Sequence, residues 1–433
     1  MIYIAITAIT MILCVFLYRI LSVHGKDIFS PFYLSTVLYA IVFVFGPMYY
    51  LNRGLTKVEG IEVMSYLPEA TLVFICGYFA LFMGSFLGSH TKAVAVFPSY
   101  ESDAHYSHIS PKAQRLIVRT AWFFYWIGII MSMVYYMSTG RSLLMMLTFG
   151  RIKSGLTITS LQSVAFLVYF LDFPISALLI LFLFANNIKA KMALAIYFII
   201  TTTAGFRYLP MILVLAYLTL SFLKNNKRPK LFFVMISILG AYLFVGIVGV
   251  YRTAIKTGGL IDLSLLNRET IRGGFLSNSD IFYPFYCLVH AFNNGSVSCH
   301  YGQGVLYIFT MAIPRFLWPN KPTSIGLTAF EAMWGNSMGG AAYPAIGEFY
   351  YEFGFWGMLL CMFITGYWFE EKFKTAVVNR RSTIDLIKYS LLFAYLLQFI
   401  NRGYFAGWFY DLVFIMFPIW ILQARLRKKG IIV

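Results

Sequence analysis

One feature constrains this chain more than any other: apolar stretches of about 20 residues recur from one end to the other, the length a helix needs to cross about 30 Å of hydrocarbon. Inside lipid no water is available for backbone N–H and C=O groups, so each stretch must satisfy them within itself and becomes a helix. Hydrophobic residues make up 60% of the 433 positions and charged residues 12%, with a mean hydropathy of +0.75, which excludes a soluble domain. The expected fold is an all-α, polytopic membrane helix bundle of about 11 spans, starting near residues 2, 31, 65, 116, 160, 190, 208, 231, 346, 384 and 404. A long outer loop containing short re-entrant or interfacial helices interrupts it. The chain then divides into membrane helices over 1–251, the loop over 252–345, and the last helices with a basic tail over 346–433. The first apolar run has no cation ahead of it and no small-residue cleavage site behind it, so it reads as a true span rather than a removable signal.

The net charge of +17 would point to nucleic acid in a soluble protein. Here no nucleic-acid partner is implied, because most cations lie at span ends, where they set topology and meet anionic lipid. With spans alternating, 21 of the 34 Lys and Arg residues fall on one side, among them Lys224, Lys227, Arg228 and the tail Arg425, Arg427, Lys428 and Lys429. That side is expected to be cytoplasmic, with the N-terminus and the long loop outside. The five cysteines form no C-x-x-C pair; Cys287 and Cys299 share the long loop, which is weak ground for a disulfide.

Two irregular regions stand out. The long loop has two apolar patches, Ile281 to Cys287 and Val305 to Ala312, each too short to span. The second region, Thr201 to Pro210, separates two apolar runs of about 14 residues, or about 21 Å of helix, so Arg207 would lie recessed below the outer surface. A cation at depth faces an anion or a wet cavity, or else it snorkels from an ordinary hairpin tip.

Arg207, Arg252, Arg315, Lys321 and Arg402 all fall on the outer side near a boundary, where topology does not require them. Guanidinium forks match phosphate oxygens, so a converging set suits a diphosphate headgroup entering from the lipid. Candidate bases on that side are Asp280, Glu331, Glu348 and Glu352, with His290 and His300 as alternatives; Glu348 and Glu352 lie one turn apart on one face, where the helix dipole alone also favours them. Asp172 and Asp411 fall mid-span and read as bonds to a neighbouring helix. The chain has no D-x-D and no glycine-rich phosphate loop, which argues against a nucleotide-sugar or ATP-driven reaction; no cofactor is implied, and the histidines of the Ser89 to Pro111 linker lack metal-ligand spacing.

The decapeptide Ile313-Pro-Arg-Phe-Leu-Trp-Pro-Asn-Lys-Pro322 carries three prolines, which hold it stiff outside helix or sheet. Arg315 is followed eleven residues later by Gly326, an R-x10-G spacing. Together with Tyr343-Pro-Ala-Ile-Gly-Glu-Phe349, Gly205-Phe-Arg207 and Asn401-Arg-Gly403, this segment resembles the Wzy-type O-antigen and oligosaccharide repeat-unit polymerases of the bacterial inner membrane. The loop around Arg141 and Arg151 holds no clean second copy of the arginine motif. The resemblance implies a metal-independent enzyme that joins polyprenyl-diphosphate-linked oligosaccharide units at the periplasmic face, with membrane lipid and a chain-length co-polymerase as partners. It gives Arg207, Arg252, Arg315 and Arg402 to the departing diphosphate, assisted by Lys321, and Asp280, then Glu348, to proton transfer. An O-antigen ligase and a polysaccharide transporter or flippase are the alternatives.

Overall fold

The computed structural model describes residues 2–23, 25–52, 54, 57–58, 61–62, 65–91, 110–138, 165–185, 187–203, 208–230, 232–237, 239–241, 243–244, 247, 285, 288–289, 301–311, 313, 317–318, 320–322, 326, 343–379 and 382–430. Over these residues the protein is all-α, apart from a two-residue antiparallel pair, β1 (Lys57–Val58) with β2 (Ile61–Glu62). In chain order come α1 (Ile2–Leu21), α2 (Pro31–Ala40), a π-helical turn (Ile41–Phe45) leading into α3 (Gly46–Asn52), α4 (Leu67–His90) and α5 (Pro111–Ser138). A 3-10 segment (Ala165–Asp172) runs into α6 (Phe173–Phe184), followed by α7 (Ile188–Thr203), α8 (Tyr208–Lys224), α9 (Gln303–Met311), α10 (Ala345–Phe373), α11 (Thr383–Arg402) and α12 (Phe405–Lys428). Each start expected from sequence lies within about five residues of a helical segment, including one at 232–237. Among the described residues, seven stretches are long and apolar enough to cross a membrane. α7 and α8, with 16 and 17 residues, span only about 24 and 26 Å.

Local chemistry sets the boundaries. Ser30 accepts from the Phe32 N–H with Pro31 at the first helical position, Asn187 accepts from Ala190, and Ser382 accepts from Asp385. Pro174 has no N–H to give the Phe170 carbonyl, and the chain is 3-10 before it and α after it. Asp172 ends the 3-10 segment at that discontinuity.

The most extensive contact in the bundle is α4 against α10. It is close because glycines face backbone: a Cβ at Gly84 would overlap the Phe363 carbonyl, and one at Gly366 the Leu81 carbonyl. α10 is bent at Gly354, whose φ of 68° and ψ of −169° lie outside helical space. Its first part, 345–353, is therefore separate in direction from 355–373, whose 19 residues reach about 28 Å. The loop patch at Val305 to Ala312 forms the expected short helix, α9, docked on α12. Of the other patch, Phe285 is described: it is buried, its ring edge-on to Phe43 at 6.0 Å.

Candidate functional site

A cavity of about 270 Å³ lies where four elements meet. Val168, Tyr169 and Asp172 line it from the 3-10 segment, Tyr208 and Leu209 from the first turn of α8, Gln398 from α11, and Tyr404, Gly407 and Asp411 from the turn into α12 and its first two helical turns. Asp411 is seven residues beyond Tyr404, about 10 Å along the helix, so the cavity runs inward from the α11–α12 turn. Asp172 and Asp411 are both buried and both line this cavity, from different elements. The Gln398 amide donates to Asp411 Oδ2 at 3.3 Å, whereas Asp172 Oδ1 is buried with no hydrogen-bond partner among the described residues. A buried polar atom in that state costs about 1–3 kcal/mol, more when charged. The Tyr395 hydroxyl also turns toward Asp411 without completing a hydrogen bond.

The α11–α12 turn is built from two consecutive residues with positive φ, Gly403 at 53° and Tyr404 at 52°. Gly403 has no room for a side chain: a Cβ there would overlap Glu348 Oε2 and approach the Tyr343 carbonyl. Glu348 is buried, and its Oε1 accepts from the Phe405 N–H at 2.7 Å, at the open N-terminus of α12. One turn later Glu352, also buried, receives the Gly304 N–H on both oxygens at 3.0 Å, at the N-terminus of α9. The two glutamates on one face of α10 thus each cap a different helix. The motif residues Tyr343 to Phe349 and Asn401 to Gly403, separate in sequence, meet here.

α9 is held at its other end by Lys321, which is 8% exposed and donates to the carbonyls of Thr310 at 3.3 Å, Met311 at 3.0 Å and Ile313 at 2.7 Å. Lys321, near the end of the decapeptide, therefore brings a cation to the negative end of the helix that precedes it. α9 is further tied to the cavity wall: Tyr410 donates to the Ile308 carbonyl at 2.7 Å, and Tyr169 to Met311 Sδ at 3.6 Å.

Of the residues singled out from sequence, Glu348 and Arg402 come together at the α11–α12 turn, Arg402 being the last, half-buried residue of α11. Lys321 lies on the carbonyls of Thr310 and Met311 at the end of α9 and of Ile313 just beyond it. Arg207, Arg252, Arg315, Asp280, His290, His300 and Glu331 lie outside the described residues. Sequence reasoning missed the cavity. It read Asp172 and Asp411 each as bonded to a neighbouring helix, which the Gln398 amide bears out for Asp411, but it did not bring the two acids to one cavity. The available signal was that a carboxylate in mid-membrane marks function by default.

A polytopic α-helical membrane protein with buried carboxyls lining a small cavity between its helices is the class these features define. The chain belongs to the O-antigen polysaccharide polymerase Wzy family, whose model matches residues 2–429. No curated protein and no solved structure matches it.

Proposed function

We propose that this polymerase joins polyprenyl-diphosphate-linked oligosaccharide repeats at the periplasmic face of the inner membrane. A hydroxyl of one lipid-linked unit attacks the anomeric carbon of another chain, and the lipid diphosphate leaves. The observation that carries this reading is the clasp of Glu348 on the α11–α12 turn: it fixes Arg402 two residues from Tyr404, which lines the cavity. Tyr208, which also lines the cavity, directly follows Arg207 in sequence. Charge asymmetry between alternate loops puts this end of the bundle outside and the basic tail inside.

In this reading Arg207, Arg252, Arg315 and Arg402 take up the negative charge that builds on the leaving diphosphate, in place of a metal ion. Lys321 acts through α9 as a positioning residue. Asp280 is the proton acceptor proposed from sequence; Glu348, proposed second, already receives a backbone N–H and serves the turn. Membrane lipid surrounds the bundle, and a chain-length co-polymerase is the partner expected to set product length.

The deciding experiment is extension of a purified lipid-linked repeat by this protein alone, with and without EDTA. A product ladder that persists in chelator is expected, and Arg402→Ala is expected to reduce its rate by at least about tenfold. A ladder that vanishes in EDTA and returns with a divalent ion would remove the metal-independent route. In cells, a deletion strain is expected to make lipopolysaccharide with a single repeat; accumulation of long lipid-linked polymer would indicate a ligase instead.

A further inference from the structure

We propose that the cavity between the 3-10 segment, α8, α11 and α12 receives one sugar ring of the acceptor repeat, and that the Asp172–Asp411 pair takes the proton from its attacking hydroxyl. This inference rests on the polymerase reading above, names the acceptor subsite within it, and puts the aspartate pair in the place of Asp280 as the group that takes the proton.

Four observations carry it. The first is size: about 270 Å³ is just under the usual range for small-molecule pockets and suits one ring rather than a whole repeat. The second is the lining. Carboxyl and amide groups from Asp172, Asp411 and Gln398 bond hydroxyls, and the phenol rings of Tyr169, Tyr208 and Tyr404 offer flat apolar faces to sugar C–H groups. The third is Asp172 Oδ1, an acceptor in a side chain 2% exposed that has no donor among the described residues and belongs to a residue lining the cavity. An incoming hydroxyl supplies that donor. The fourth is the pairing itself. Asp172 and Asp411 reach this one cavity from different elements, so a hydroxyl held in it meets two carboxyl groups.

In the step, the acceptor O–H bond breaks toward the carboxylate as the oxygen forms the new glycosidic bond to the anomeric carbon of the donor. The bond from that carbon to the phosphate oxygen breaks, and the diphosphate leaves with the electron pair. The proton stays on the aspartate pair and passes to water when the product moves off. Asp172 is placed for this by Pro174, which ends the 3-10 segment there; Asp411 is placed by its bond to Gln398.

Asp172→Asn and Asp411→Asn keep shape and remove the proton acceptor, while Val168→Phe fills part of the cavity and keeps both acids. In nanodiscs with a defined lipid-linked repeat, each Asn variant is expected to lose at least about a hundredfold in extension rate. Binding of polyprenyl diphosphate alone should stay within about threefold of wild type, a separation that a merely structural role would not give. Val168→Phe is expected to raise the acceptor KM by about tenfold or more while leaving diphosphate binding alone. Extension by both Asn variants at wild-type rate, or an unchanged acceptor KM in Val168→Phe, overturns the inference. Should one Asn variant lose diphosphate binding and monodispersity together, the other two variants decide. Failure of the wild type to extend any lipid-linked repeat would instead overturn the polymerase reading on which this subsite depends.

Discussion

Gly403 is required for two separable reasons, one in its backbone and one in its surroundings. Its φ of 53° is open to glycine at little cost, and Glu348 Oε2 and the Tyr343 carbonyl occupy the space a methyl group would need. Gly403→Ala is expected to cost more than about 2 kcal/mol, read as a lower unfolding midpoint in detergent. Glu348→Ala removes the acceptor from the Phe405 N–H and is expected to cost about 1–3 kcal/mol. Glu348→Gln keeps an acceptor oxygen and should recover most of that stability. If Glu348→Gln were as unstable as Glu348→Ala, the carboxylate's charge rather than its bond to α12 would be what matters. At this scale the sequence was partly legible. It showed that Glu348 and Glu352 share a helix face, but not their partners, which are 57 and 48 residues away and are brought near only by folding. Nothing in a linear pattern says that Asp172 and Asp411 line one cavity, because each is an isolated acid in an apolar run.

Elements were read more reliably than contacts, since lipid forces every apolar run of sufficient length into a helix whatever its neighbours are. Where the reading fell short, the cause was local geometry. α10 was expected as one span from residue 346, but the positive φ of Gly354 splits it. The decapeptide was expected to hold two cations rigidly apart at the surface; of these, Lys321 instead turns back onto α9. α9 is too short to be stable as an isolated helix, so its two caps decide whether it forms. Glu352→Ala and Lys321→Met should each speed hydrogen exchange across 303–311, and the double variant should add little beyond the more harmful single one, because both release the same nine-residue unit. Additive effects would show that the two ends of α9 are held independently.

For the whole molecule, the hydropathy of the chain specified a membrane bundle, and the family match over 2–429 agrees with that extent. Orientation is a consequence of where the cations lie. A reporter joined after residue 430 is expected to be active only if it functions in the cytoplasm, and one placed in the long loop only if it functions outside. The reverse pattern would place the cavity mouth on the cytoplasmic side and remove the proposed site of polymerisation. The cavity itself was not legible at this scale, since it is assembled from residues that begin at Val168 and end at Asp411.

The bend at Gly354 has a consequence for how such a chain tolerates change. Because the segment bearing Glu348 and Glu352 is set off by Gly354 from the longer segment over 355–373, rotation or tilt of the latter is not transmitted rigidly to the two carboxylates. The joint works as a universal coupling: the longer rod can tilt while the grip on α9 and α12 stays in register.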